Sequence, residues 1–312
     1  MFCISWVNPD EKLAAKTFDD YLAEGTLAAL EAVEKATGER EVNAVGYCLG
    51  GTLLACLLAY MAKKGDKRIA SATYFASMID FAEAGELSVF IDEEQLAHLE
   101  ENMSERGYLE GRDMATTFNM LRANDLIWSF VVNNYLLGKE PFPFDLLYWN
   151  ADSTRMPAAM HSFYLRQMYQ ENRLTKGEIT LLRTRIDLTK IKTPSFVLST
   201  RDDHIAPWKS TYVATQTYTG PVRFVLAASG HIAGVINPPA ANKYCYWAND
   251  ASPPSADDWL AGATQKPGSW WPDWDAWVKE FAGGEGPARK PGDGALKPIE
   301  DAPGSYVKLQ VA

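Results

Sequence analysis

Two hydrophobic rhythms alternate along the chain. Residues 2–7 (FCISWV) form a short apolar run closed by Asn8-Pro9, which predicts a buried strand that includes Cys3. Thr17 followed by Asp20 resembles a capping box, and Phe18, Tyr21, Leu22, Ala29, Val33 and Ala36 then recur at helical spacing until Gly38. Residues 41–45 predict a second strand, followed at once by Gly46-Tyr47-Cys48-Leu49-Gly50-Gly51. Next comes a helix with Leu53, Leu54, Leu57, Leu58 and Met61 on its buried side and Gly65 past its end. Residues 71–77 predict a third strand. The order βαβαβ implies a parallel sheet with right-handed crossovers.

That rhythm breaks from Phe81 to about Thr193, where the periodicity is helical, roughly over 92–102, 110–122, 125–137 and 157–171, with one strand near 179–183. The pattern predicts a helical insertion, 81–193, in a core made of 1–80 and 194–282. The sheet resumes at 194–200, continues through the loop Arg201-Asp202-Asp203-His204 and a helix near 208–218, and reaches a fifth strand at 222–226 that runs into Ser229-Gly230-His231. Trp270, Trp274 and Trp277 stand at i, i+4 and i+7 around Pro272, a residue suited to a helix start, and form one stripe. Such a stripe packs on the sheet or the insertion, or alternatively forms an exposed aromatic patch that meets a partner. Residues 283–312 are rich in Gly and Pro and predict a flexible tail.

Composition narrows the function classes. The 312 residues are 47% hydrophobic and 22% charged, close to the globular average. A net charge of −10 argues against a nucleic-acid binder, which needs a basic footprint. No run approaches a membrane-spanning length, and the first residues lack the basic region and cleavage site of a signal peptide. The four cysteines, Cys3, Cys48, Cys56 and Cys245, form no C-x-x-C pair, so reduced thiols are expected, without a disulfide framework or a zinc site. Any general-base histidine must be His98, His161, His204 or His231.

The strand–Gly-x-Cys-x-Gly–helix segment carries the chemistry. It resembles the nucleophile elbow of the α/β-hydrolase sheet with cysteine in place of serine, and this composition produces the pattern by chance only about 0.02 times per chain. The bland alternative is a core cysteine in an ordinary βα turn. Gly46 and Gly50 are expected to leave room for the tight turn and close packing. An elbow needs an acid and then a histidine later in the chain, at the carboxyl ends of parallel strands. Asp202-Asp203 and His231 occupy those places, and spacing alone does not choose between the two aspartates. His204 is expected to be structural, and His98 and His161 to be surface or packing residues. The first oxyanion donor would be the backbone N–H of Leu49.

Longer blocks resemble one family, the polyhydroxyalkanoate synthases that polymerise bacterial storage polyester. They are Ser5-Trp6-Val7-Asn8-Pro9, the elbow, Leu147-Tyr148-Trp149-Asn150-Ala151-Asp152-Ser153-Thr154-Arg155-Met156-Pro157, the stretch from Arg201 to Trp208, and Gly230 to Pro239. The resemblance implies a catalytic triad of Cys48, Asp203 and His231, because the family's acid directly precedes a histidine, as Asp203 precedes His204. It implies an α/β-hydrolase fold with a mainly parallel sheet and a helical cap that opens and closes over the active site. The class resembled, class I, uses short-chain (R)-3-hydroxyacyl-CoA, with CoA as part of the substrate, released in the reaction, and no separate cofactor or metal. Implied partners are the growing polyester, the granule surface and a second copy in a homodimer, and the implied location is cytoplasmic, on polyhydroxyalkanoate granules. Arg155, Arg201 and Lys209 are basic, but no phosphate loop marks any of them as a CoA contact.

Two other functions stay open at this point: a cysteine-dependent hydrolase (a polyester depolymerase or a dienelactone-type enzyme) and a non-catalytic granule-associated relative. Set against the family, the chain is expected to lack the N-terminal domain and the first strands of the sheet. The loop that would give a second oxyanion donor goes with them. An exposed sheet edge, poor solubility and weak isolated activity follow as expectations.

Overall fold

Six strands build the principal sheet: β1 (Val42–Tyr47), β2 (Ile69–Phe75), β3 (Ser195–Thr200), β4 (Val222–Ala227), β5 (Cys245–Ala248) and β6 (Thr264–Pro267). They lie side by side in chain order in this computed structural model, which describes residues 1–121, 123–141, 152–305 and 308. The first four are parallel, while β5 and β6 extend the sheet antiparallel. β3 is buried along its whole length, as a central strand covered on both faces must be. β1 alternates between exposed and covered positions, and among the described residues it pairs only with β2.

The helices follow the predicted punctuation. Helix α1 (Ala28–Thr37) stops at Gly38, whose φ of 76° is left-handed and whose N–H bonds Glu34 O at 2.7 Å. Helix α2 (Leu49–Lys64) buries Leu53, Leu54, Leu57, Leu58 and Met61 as the pattern requires and ends at Gly65, φ 70°. The tryptophan stripe packs on the sheet. Trp270 is buried against Phe196, Leu198, Val225 and Ala227, with Trp271, Trp274 and Trp277 beside it, and the Trp274 indole N–H bonds Thr73 Oγ1 at 3.0 Å.

Two antiparallel strands, β5 and β6, are absent from the sequence reading. Both are only four residues long, and β6 (TQKP) is polar and mostly exposed, with its proline at the end of an edge strand. The reverse error occurs at residues 2–7, which form no strand; Phe2, Ile4, Trp6 and Val7 are exposed, and so is Cys3. β-propensity expresses itself only where a neighbouring strand takes up the backbone groups, and among the described residues none does. In the tail, Ala295 N–H bonds Lys35 O at 3.0 Å at the end of α1.

The chain divides into two units. One comprises Met1–Ile4, Asp19–Ile91 and Arg166–Pro298 and contains the sheet; the other comprises Ser5–Phe18, Asp92–Leu165 and Ile299–Ala312. In the second unit, Asp92 caps the helix Glu93–Arg106 by accepting the Gln95 N–H at 2.8 Å, and Gly107 (φ 81°) ends it. Helices Gly111–Leu121 and Ala158–Phe163 follow, and Tyr108–Leu109 pairs with Met156–Pro157. Two of the family-like blocks meet here, because Asn8 Oδ1 accepts the Arg155 backbone N–H at 2.9 Å. The Arg155 guanidinium bonds Glu110 at 3.0 Å and lies over the Tyr108 ring. Residues 147–151 of the longer block lie outside the described residues, as does Arg122 in the helix expected over 110–122.

His161 is buried in this second unit, and among the described residues its Nδ1 has no hydrogen-bond partner. Burial disfavours the charged ring and pushes its pKa down to about 4 from 6.5. A histidine depressed on folding contributes stability that is complete above the unfolded pKa and is lost as pH falls toward the folded value. Urea unfolding at pH 7.5 and pH 5 should therefore show a loss of about 2 kcal/mol on acidification. Replacing His161 by Phe should flatten that difference; an unchanged slope would contradict it.

Candidate active site

Parallel strands deliver their carboxyl ends to one edge of a sheet, and three of those ends carry the predicted residues. β1 ends at Tyr47, before Cys48; β3 ends at Thr200, three residues before Asp203; β4 ends at Ala227, four before His231. The β3–β4 register, with Thr200 opposite Ala227, sets the acid and histidine loops side by side. All these residues belong to the first unit.

Cys48 sits on the turn between β1 and α2 with φ 53° and ψ −125°, a conformation that side chains rarely adopt. Its neighbours enforce the turn. A methyl group on Gly46 would lie 2.6 Å from Gly50 O and Gly51 Cα, and one on Gly51 would collide with the Ser77 side chain. Gly50, by contrast, has nothing within 4 Å of that position. The room expected of Gly46 and Gly50 is thus required of Gly46 and Gly51: Gly50 is exposed on α2, while Gly51 is buried on it.

His231 meets Asp203, not Asp202. The distance from Nδ1 to Asp203 Oδ2 is 2.7 Å, and both side chains are buried. Asp203 is fully engaged: Oδ1 accepts the N–H groups of Ile205 and Ala206 at 2.9 Å each, and Oδ2 also accepts the Thr200 hydroxyl at 3.1 Å. Asp202 is exposed, and its contribution is a backbone bond to Ser229 O. Burial works against a charged His231 ring, but the hydrogen bond to Asp203 and the favourable influence of the Cys48 side chain, with the charges of both, outweigh it and push the pKa up to about 10. The structure therefore brings Cys48, His231 and Asp203 into one line of interaction at the sheet edge: a 2.7 Å hydrogen bond joins His231 to Asp203, and Cys48 acts on the His231 ring electrostatically.

The remaining predicted positions separate from that line. Leu49 opens α2, so its N–H is among those that helix geometry leaves without an intrahelical partner. His98 is exposed, near Asn102 at 3.2 Å, and the His204 carbonyl accepts the Glu86 N–H. Lys209 pairs with Asp257, and the Arg201 guanidinium lies over Trp247. Burial pushes the Cys56 thiol up to about 12, which makes it a poor nucleophile.

Two supporting residues escaped the sequence reading. Ser77 Oγ donates to Cys48 O at 2.8 Å, and Thr200 holds the acid. Both stand at or just beyond the carboxyl end of a strand, the one signal that could have picked them out.

The comparisons with known proteins bear on the family of the chain as a whole. The family model described as "alpha/beta hydrolase fold" matches residues 2–238. The chain belongs to the α/β-hydrolase family. Three similar relatives share one naming. A protein from Rhizobium meliloti named poly(3-hydroxyalkanoate) polymerase subunit PhaC is 56% identical over 99% of this chain and 51% of its own length. A poly(3-hydroxyalkanoate) polymerase of Methylorubrum extorquens is 54% identical over 99% and 51%, and the PhaC subunit of Cupriavidus necator is 43% identical over 99% and 54%. The chain thus spans about half the length of the curated relatives it matches. Among solved structures, a putative non-heme bromoperoxidase BpoC from Mycobacterium tuberculosis is similar over 73% of this chain and 71% of its own, with 14% identity and a TM-score of 0.41.

Two outcomes test the site's construction. Gly51→Ala should cost about 1–3 kcal/mol in urea unfolding, because the methyl must displace Ser77, whereas Gly50→Ala should be neutral or stabilising by up to about 1 kcal/mol. Equal effects would overturn the distinction. Asp203→Asn should move the NMR titration of the His231 ring down from about 10 toward 6.5 or below, since burial then acts with less opposition. The sign for stability follows: a raised histidine stabilises the fold fully below pH 6.5 and loses that contribution as pH rises through about 10. The Asn variant should lack that alkaline loss.

Proposed function

We propose that this chain is the catalytic part of a polyhydroxyalkanoate polymerase, an acyltransferase that joins (R)-3-hydroxyacyl units from their CoA thioesters and releases CoA. One observation carries the reading: a cysteine on a strained elbow shares one edge of the sheet with a buried, hydrogen-bonded His231–Asp203 pair, in a chain 43–56% identical to proteins named as such polymerases.

The chemistry follows from the residues. His231, a strong proton acceptor oriented by Asp203, takes the Cys48 thiol proton. The sulfur attacks the thioester carbonyl, and the oxyanion that forms is met by the Leu49 N–H at the head of α2, where the helix dipole favours negative charge. Collapse of that intermediate breaks the bond to the CoA sulfur, which leaves with the proton from His231, and the acyl group stays on Cys48. Thiol for thiol is a nearly balanced exchange, so this step is reversible. His231 then removes the proton from the 3-hydroxyl of a second unit, whose oxygen attacks the acyl-Cys48 thioester. An ester bond forms and the thiolate is released. Water in place of that hydroxyl would give hydrolysis, so a polymerase must keep water from the acyl-enzyme.

Granule association, a homodimer and a cytoplasmic location belong to the same proposal. Among the described residues no helix is long and apolar enough to cross a membrane. The deciding measurement is CoA release from 3-hydroxybutyryl-CoA with the product examined for polymer. Polymer is the expected product; free 3-hydroxybutyrate alone would make the protein a hydrolase, and no CoA release a non-catalytic relative. Cys48→Ala should abolish covalent labelling by radioactive substrate, and labelling that survives would remove Cys48 from the mechanism.

A further inference from the structure

His231 rides on a turn that its own backbone does not fully secure. The turn begins at Ser229, a non-glycine residue at φ 77°, and its internal bonds run from the Gly234 N–H to Gly230 O and from the Val235 and Ile236 N–H groups to Ile232 O. Three carbonyls of the turn accept side-chain donors from distant parts of the chain, one of them, Val235 O, beside the Asn237 backbone N–H at 3.1 Å. The Tyr47 hydroxyl donates to His231 O at 2.8 Å, the Trp270 indole N–H to Gly234 O at 3.0 Å, and the Trp271 indole N–H to Val235 O at 3.0 Å. The Tyr47 ring also stacks on the imidazole, with centroids 5.3 Å apart and planes inclined at 24°.

The donors stand on the principal sheet or pack against it. Tyr47 is the last residue of β1, directly before Cys48, so one side chain ties the nucleophile's backbone to the histidine's. Trp270 is buried, and its ring meets Phe75 at 5.1 Å and Phe196 at 6.3 Å, side chains of β2 and β3. Burial, followed by the charges of Cys48 and Asp203, raises the Tyr47 pKa above its ordinary value and keeps the hydroxyl a donor. Asp203 fixes only one ring nitrogen, and an imidazole held at a single atom can still tilt about that bond. A stacked ring and an anchored carbonyl oppose the tilt.

We propose that Tyr47, Trp270 and Trp271 are positioning residues, which aim the His231 imidazole at Cys48 by gripping the backbone carbonyls of its turn and, through Tyr47, the face of its ring. The inference rests on the reading of Cys48 and His231 as nucleophile and base. None of the three side chains is asked to touch a reacting atom.

The test uses the full chain with Tyr47→Phe, which keeps the ring and removes the donor, and Trp271→Phe, which replaces an indole that is only partly buried. Two readouts are compared: the rate of Cys48 alkylation by iodoacetamide at neutral pH, followed on the Cys48 peptide by mass spectrometry, and kcat and KM for CoA release from 3-hydroxybutyryl-CoA. Each variant should lower alkylation and kcat about five- to tenfold, the factor expected for one hydrogen bond, with KM within about twofold and the thermal midpoint within a few degrees. Combined with Asp203→Asn, Tyr47→Phe should lose less than the product of the separate losses, because both act on one ring. Wild-type alkylation rates in both variants would overturn the inference, as would losses that only track a lowered thermal midpoint. If the variants alkylate slowly while the wild type releases no CoA, the positioning role stands and the polymerase reading falls.

Discussion

Everything at the candidate site hangs on the backbone of one residue. Cys48 is held in a conformation that costs about 1–3 kcal/mol for a residue with a side chain, and such strain persists only where the surroundings leave no alternative. Here the surroundings are the first elements of the core. The Cys48 N–H bonds Phe75 O at 2.9 Å, at the end of β2, and Cys48 O accepts from Gly51 N–H at 2.9 Å and from Ser77 Oγ. Gly46 and Gly51 let strand and helix approach closely enough for those bonds to form. The packing that stabilises the β1–α2–β2 unit and the geometry that presents the thiol are therefore the same contacts.

The buried charge is handled by the same economy of neighbours. A carboxylate taken out of water needs several donors, and Asp203 has four, two of them backbone N–H groups of its own loop. His161 illustrates the opposite arrangement: it is buried with no partner for Nδ1 among the described residues, and burial favours its neutral form. Two buried histidines in one chain thus have pKa values driven in opposite directions, one by a carboxylate and a thiol, the other by burial alone.

What could be read from the sequence was what local rules determine. β1, α2, β3 and β4 declare themselves through apolar runs, helical spacing and terminal glycines, and chain order then brings Cys48, the Asp202-Asp203 pair and His231 to one edge. The rest needed tertiary context. Residues 2–7 look like a strand but lack a described partner, and TQKP looks like a loop yet pairs with β5. Asp202 and Asp203 differ only in which one faces inward. Gly50 and Gly51 differ only in which side of α2 meets Ser77. Ser77 and Thr200 are single hydroxyls whose partners lie on other segments or at the end of a loop, and no spacing rule singles them out.

β1 carries a final consequence. It is one of the two outer strands of the described sheet, with Val45 53% exposed, whereas β3 lies in the interior. Protection against amide hydrogen exchange follows the free energy of local opening, which is small where backbone groups face water and approaches the global value in a central strand. In the described sheet the nucleophile therefore sits at the end of an outer strand, and the acid just beyond the end of one buried along its whole length. The two halves of the candidate catalytic line are thus mounted on strands of unequal burial, and a local opening of β1 would part the thiol from its base while β3 stayed paired.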